Sequence, residues 1–163
     1  MTEGVRLRKM TEADWPAVAA IWAEGIATGN ATFETEPPSW AAFDATRKIE
    51  GRFVAEDGGA VVGWAALSPV SSRPCYAGVA ENSVYVASAA RGRGVGTALM
   101  DALTAAAAAA GIWTIQTSVF PENAASIALH QRAGFRVVGR RERIAELGGV
   151  WRDTLFLELR LPT

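Results

Sequence analysis

The chain has 163 residues, half of them hydrophobic and a fifth charged, which excludes a disordered or fibrous protein and suits one domain over residues 1–163. The formal net charge of -1 offers no concentrated basic surface for nucleic acid, and no 18-residue apolar run is present to span a membrane. One cysteine (Cys75) and one histidine (His130) exclude an internal disulfide and a multi-ligand metal centre. The segment opening Met1-Thr2-Glu3-Gly4 turns charged at Arg6, Arg8 and Lys9 without a secretory core, so a cytoplasmic protein is expected.

Val5 to Met10 alternates, with Val5 and Leu7 on one face and Arg6 and Arg8 on the other, which predicts a short edge strand. Thr11 is placed to cap a helix with Glu12 and Asp14 in its first turn. Trp15, Val18, Ala19, Trp22 and Ile26 then recur at helical spacing to about residue 28, a stripe that assigns Trp15 and Trp22, with Trp40, to the core. Gly29 to Pro38 reads as a loop, and Ser39 caps a second helix bearing Trp40 and Phe43. Phe53–Glu56 and Ala60–Leu67 flank Asp57-Gly58-Gly59, a hairpin signal. Ser68 to Ala80 is a loop rich in Ser and Pro that carries Arg73 and Cys75; no His–Asp pair flanks Cys75 to make it a nucleophile.

Glu81 to Val86 reads as a strand, and Gly94 to Ala110 as a helix whose alanine run ends at Gly111. A strand over Ile112–Val119, a turn at Pro121-Glu122-Asn123 and a short helix over Ala124–Arg132 follow. Arg136–Ile144 and Val150–Leu161 form two long strands around Gly148-Gly149. The order β-α-α-β-β-β-α-β-α-β-β predicts a mixed α/β domain with an antiparallel front half.

The chemistry concentrates in Arg91-Gly92-Arg93-Gly94-Val95-Gly96-Thr97, between a strand and a helix. Glycines let backbone N–H groups approach an anion, the helix start adds partial positive charge, and the two arginines can pair with further phosphate oxygens. A P-loop would need Gly-Lys-Ser/Thr, and no lysine is present. A dinucleotide-binding turn would read G-x-G-x-x-G near the start of a βαβ unit, and the spacing here differs. The pattern R-x-x-G-x-G resembles the coenzyme A pyrophosphate loop of the GNAT acetyltransferases. That likeness runs over nearly the whole chain.

Glu81-Asn82-Ser83-Val84-Tyr85-Val86 before the loop resembles the phosphinothricin acetyltransferase group within GNAT. So do Pro121 to Phe135 after it, Thr32 to Pro37, and Gly149-x-Trp151-Arg152-Asp153. Leu67 to Arg73, Tyr76 to Glu81 and Gly111-Ile112-Trp113 are most similar to its arsinothricin-acetylating branch. The resemblance implies the GNAT acyl-CoA N-acyltransferase fold: a mixed, mostly antiparallel sheet with splayed strands, flanked by helices. It implies acetyl-CoA as co-substrate with no metal. The acetyl group would pass by direct attack in a ternary complex to the α-amino group of a small amino-acid analogue, of the phosphinothricin, arsinothricin or methionine sulfoximine/sulfone type. A homodimer is implied as well.

On this resemblance Val84, Tyr85 and Val86 present backbone to the pantetheine, with an N–H at or near Val86 meeting the acetyl oxygen. Arg91, Gly92, Arg93, Gly94, Val95, Gly96 and Thr97 hold the pyrophosphate, and Asn123, Ser126 and Arg132 add coenzyme contacts. Glu81 and His130 are the catalytic candidates; which is the base, and whether Glu81 is base or ammonium anchor, stays open. Arg73 matches the family's substrate arginine, with Thr32, Phe33, Asn82 and Glu81 lining the same pocket. One departure stands out: a turn that often carries Lys or His in the family reads Ala145-Glu146-Leu147-Gly148-Gly149 here. The competing readings are acetylation of a protein N-terminus or a polyamine, a non-catalytic coenzyme A-binding module, and a nucleotide-binding module. Spermidine would call for an acid-rich site.

Overall fold

The computed structural model describes residues 4–162; the start of the segment read as lacking a secretory signal (1–3) and residue 163 lie outside the described residues. β1 (Val5–Lys9) leads through a short 3-10 turn to α1 (Trp15–Ala27) and α2 (Trp40–Thr46). β2 (Arg52–Asp57), β3 (Ala60–Pro69) and β4 (Val79–Val86) follow, then α3 (Val95–Ala109), β5 (Thr114–Val119), α4 (Ala124–Arg132), β6 (Arg136–Leu147) and β7 (Val150–Arg160). The strands make one sheet in the order β1-β2-β3-β4-β5-β7-β6, antiparallel except at β4–β5. No helix among the described residues is long and apolar enough to cross a membrane.

Local signals account for most boundaries. Asp14 Oδ2 accepts from the Thr11 backbone N–H at 2.8 Å, and Ser39 Oγ accepts from the Ala42 N–H at 3.2 Å at the start of α2. Four boundaries depart from the sequence reading by two residues or more, the first being β3, which runs to Pro69 rather than Leu67 by pairing Ser68 and Pro69 with Glu81 and Ala80. β4 begins at Val79 rather than Glu81, because Val79–Glu81 pairs in parallel with Thr114–Gln116 far along the chain. β5 begins at Thr114, since Trp113 is held in the connection with its N–H on the Gly78 carbonyl at 2.8 Å. β6 runs on past Ile144 to Leu147 through a bulge between Arg141 and Ala145, where Arg143 takes φ 50°.

The sheet separates two cores of different composition. On one face α3 packs Leu99, Met100 and Leu103 against Ile115 and Leu157, an aliphatic cluster. On the other, α1 and α2 bring Val18, Trp22 and Phe43 against Val54 and Trp64. Trp22 is buried as expected, while Trp15 and Trp40 are half-buried and pack against the cluster from outside. β4 serves both faces because successive side chains alternate. Val84 and Val86 join the aliphatic cluster, and the Tyr85 ring stacks on Trp64 at 4.9 Å in the aromatic one.

Candidate active site

β4 and β5 stay paired only through Glu81 and Gln116. Beyond that point β4 remains paired with β3 as far as Val86, and Thr117–Val119 of β5 pair only with β7. The two strands therefore open like a V, and a cleft of about 800 Å³ fills the gap. The Ala87 N–H donates to the Val62 carbonyl at 2.8 Å, so Val86 sits in a pair that turns its own N–H and C=O away from β3. Alternation gives Val84 the same direction. The backbone of β4 thus presents a free strand edge inside the sheet, ready to pair with an extended amide-containing arm.

At the wide end of the cleft lies the glycine loop. Gly92 (φ 76°) and Gly94 (φ 77°) are left-handed, a conformation that costs about 1–2 kcal/mol for a residue with a Cβ. Gly94 is the N-cap of α3, contributes no side-chain cap, and accepts the first helical bond from Ala98 N–H at 3.0 Å. The N–H groups of Val95, Gly96 and Thr97 consequently lack helical acceptors, and no acid occupies the first turn. Arg91 and Arg132 are exposed and line the cleft with them. Arg93 does not line it; its guanidinium reaches Asp57 at the end of β2 at 3.0 Å. Asn123 caps α4, accepting from the Ser126 N–H at 3.1 Å, and its Nδ2 donates to the Asn30 carbonyl at 3.0 Å. Asn123 and Ser126 both line the cleft.

Glu81 stands where the V begins. It keeps accessible surface and lines the cleft, yet the protein around it pushes its carboxyl above the usual carboxylate range, with Arg47 and Arg141 pulling it back. His130 lines the same cleft but is only 4% exposed. Its Nδ1 lies 2.7 Å from the Ser126 carbonyl, which can only accept, so Nδ1 carries the proton. Nε2 then accepts from Asn82 Nδ2 at 3.1 Å. Burial lowers the imidazole pKa below its ordinary 6.5. Both ring nitrogens of a neutral His130 are thus occupied within the protein. Asn82 is buried and follows Glu81 on β4, so the two side chains leave opposite faces of the strand.

The third wall is the loop between α1 and α2. Phe33 meets Phe120 edge-on at 4.8 Å, and Thr32 lies beside the Tyr85 phenol, whose pKa burial pushes up to about 12. Arg152 of β7 clasps this loop, donating to the Gly29 carbonyl at 2.9 Å and Asn30 Oδ1 at 2.7 Å, with its guanidinium 4.1 Å over the Phe120 ring. Arg73 is not brought to the cleft: it is exposed ahead of the 3-10 turn Pro74–Tyr76, 5.6 Å over the Tyr76 ring. Sequence reasoning missed Arg47 and Arg141, the cations acting on Glu81. Neither has a local motif, and only the tertiary fold reveals them. Arg152 was visible inside Gly149-x-Trp151-Arg152-Asp153 without a role.

With this geometry in place, the sequence pattern of the Acetyltransferase (GNAT) family matches residues 10–135. The chain is 34% identical to an L-methionine sulfoximine/L-methionine sulfone acetyltransferase of Pseudomonas aeruginosa over 96% of this chain and 95% of that protein. It is 32% identical to a phosphinothricin N-acetyltransferase of Alcaligenes faecalis over 93% of this chain and 80% of the relative. Among solved structures, a GNAT superfamily phosphinothricin acetyltransferase from Sinorhizobium meliloti in complex with acetyl-CoA superposes with a TM-score of 0.87 at 33% identity, covering 97% of this chain and 89% of that one.

Proposed function

Since the chain belongs to the GNAT family of acetyl-CoA-dependent N-acetyltransferases, we propose that its acceptor is the α-amino group of a small amino-acid analogue of the phosphinothricin, arsinothricin or methionine sulfoximine/sulfone type. The observation that carries this reading is the placement of Glu81 at the point where β4 and β5 part. Bound acetyl-CoA supplies an activated thioester carbonyl. The residues present suit it: the first turn of α3 offers the N–H groups of Val95, Gly96 and Thr97, which lack helical acceptors, for the pyrophosphate, and the free edge of β4 at Val84 and Val86 can pair with the pantetheine amides. An N–H of that edge would donate to the carbonyl oxygen as charge develops on it.

An amino acid arrives as an ammonium, and only the neutral amine attacks. Glu81 takes that proton, directly or through one water, and the raised carboxyl pKa brings it nearer to neutral pH, where a base works best. The departing thiolate receives a proton in turn. His130 acts at one remove in this scheme: held by Ser126, it fixes Asn82, the neighbour of Glu81, in the cleft wall. Asn123 and Arg152 keep the loop Asn30–Phe33 over the acceptor. Exposed Val137, Val138, Ile144, Val150 and Trp151 on the β6–β7 hairpin support a homodimer through that face.

Coenzyme A thiol release tests the proposal, with purified protein offered phosphinothricin, arsinothricin, methionine sulfoximine, methionine sulfone, ordinary amino acids and spermidine. Release with the tetrahedral analogues is expected. Release with spermidine alone, or silence with every amino acid, overturns the acceptor class and leaves the coenzyme site standing.

A further inference from the structure

We infer that Arg47 is the anion-recognising residue of the acceptor site, taking the carboxylate or phosphinate of a zwitterionic amino acid whose ammonium lies at Glu81; this rests on the acceptor class proposed above. Arg47 follows the last residue of α2 and is half-buried. Five residues on, Arg52 shows what a structural arginine looks like in the same neighbourhood. Its guanidinium donates to Asp44 Oδ1 at 2.7 Å, to the Asp44 carbonyl at 2.8 Å and to the Arg47 carbonyl at 2.7 Å. Arg47 has no such set. Its side chain makes one hydrogen bond, to Thr46 Oγ1 at 2.6 Å, and no carboxylate of the described residues lies within ion-pair distance. Its Nε is buried without an acceptor, as is that of Arg52, so the difference between the two lies in the fork nitrogens.

An unpaired charge held half out of water is costly unless something completes it. The surroundings fit a ligand. The guanidinium lies 5.1 Å over Phe43 and 5.8 Å over Trp22, so the rings hold the fork in place while its edge N–H groups stay available. Arg47 and Thr46 line a second cavity of about 310 Å³ beneath the loop before α2. Glu34 lines both this cavity and the main cleft, so the two spaces adjoin. Glu81 and Arg47 each feel the other's charge across that junction.

The charge order, with acids at Glu81 and Glu34 and a cation beyond them, matches the ammonium and the acid group of one amino acid. A polyamine would find Arg47 repelling its second amine. Arg73, the arginine expected from sequence, lines neither cavity. Arg141 also acts on Glu81, but like Arg73 it lines neither cavity.

The test compares methionine sulfone with its decarboxylated counterpart, 3-(methylsulfonyl)propylamine, on the intact enzyme and on Arg47→Met, Arg47→Lys and Arg73→Ala. Loss of a bidentate charge-assisted contact corresponds to about a 10–100-fold rise in KM for methionine sulfone in Arg47→Met. Arg47→Lys should fall between, because a point charge remains without the fork. KM for acetyl-CoA should hold, and the decarboxylated amine should react equally poorly with the intact enzyme and with Arg47→Met. If the methionine variant does not fold, the lysine variant reads the same constant. An unchanged KM in both Arg47 variants, or the whole loss appearing in Arg73→Ala, overturns the inference while the acceptor class survives. An intact enzyme that acetylates the decarboxylated amine as well as methionine sulfone overturns it too. Failure of the intact enzyme to acetylate methionine sulfone, phosphinothricin or any other amino acid overturns both readings together, a distinct result.

Discussion

The two walls of the cleft are built by opposite means. The wall proposed for the coenzyme comes from one short segment, Arg91–Gly92 and Gly94–Thr97, together with the neighbouring edge of β4, and what it offers is chiefly backbone N–H and C=O. The wall proposed for the acceptor is gathered from Asn30–Glu34 and Glu81, with Arg47 in the adjoining cavity and Arg152 clasping the loop from behind, and what it offers is charge and ring faces on side chains. A backbone wall tolerates changes of side chain but not of glycine, because its geometry depends on two left-handed positions. A side-chain wall can be retuned one residue at a time without disturbing the coenzyme. If that division is real, substitutions in the two walls should separate cleanly in kinetics.

Glu81→Gln is the sharpest attempt to break it. The change removes a proton acceptor and leaves the strand edge in place, so turnover should fall about 10²–10⁴-fold, the span of general-base effects, with acetyl-CoA affinity held. The pH profile carries the sign. A protonated Glu81 cannot accept a proton, so kcat/KM rises with pH through its carboxyl pKa. Burial has raised that pKa, so the acid limb should lie above the ordinary glutamate value of 4.5. The limb should vanish in Glu81→Gln. A variant with full turnover, or one that keeps the limb, removes Glu81 from the reaction.

Gly94→Val attacks the other wall. The side chain is strained at φ 77° and stands at the N-cap of α3, where the helical N–H groups are to meet phosphate. KM for acetyl-CoA should rise about 10–100-fold, equivalent to about 1.4–2.8 kcal/mol, with the acceptor KM little changed. Equal damage to both constants would show the walls to be one mechanical unit.

This division also explains what could be read from the sequence. Gly92, Gly94, the Gly58-Gly59 hairpin, the Ser39 cap and the bounds of α4 are short-range features, and each carries its own conformational signature. The start of β4 at Val79 depends on pairing with Thr114, which no local pattern records. Arg47 looks like any arginine after a helix until Trp22, Phe43 and Glu34 converge on it. Asn123 could be assigned to the cleft by motif, but its second bond, to the Asn30 carbonyl, depends on a loop far earlier in the chain. His130 was legible as a site residue, while its bonds to Ser126 and Asn82 appear only on folding.

The smallest expected effect separates His130 from Glu81 through stability. His130 is the chain's only histidine, and burial lowers its folded pKa below 6.5. As pH falls below about 6.5, the unfolded chain takes up a proton that the folded chain refuses, so stability drops by at most about 1.4 kcal/mol per pH unit until the folded pKa is reached. Glu81 acts with the opposite sign. Its folded carboxyl holds a proton to higher pH than in the unfolded chain, so stability is gained as pH falls through its raised pKa. The two slopes oppose each other in the intact protein, and Glu81→Gln should unmask the histidine as a loss of about 2–4 °C in Tm between pH 6.5 and 5.5. Adding His130→Gln should flatten that slope. If the slope is absent from Glu81→Gln, the folded protein accepts a proton at His130 near neutral pH, and the imidazole rather than the carboxylate becomes the stronger candidate for moving the proton.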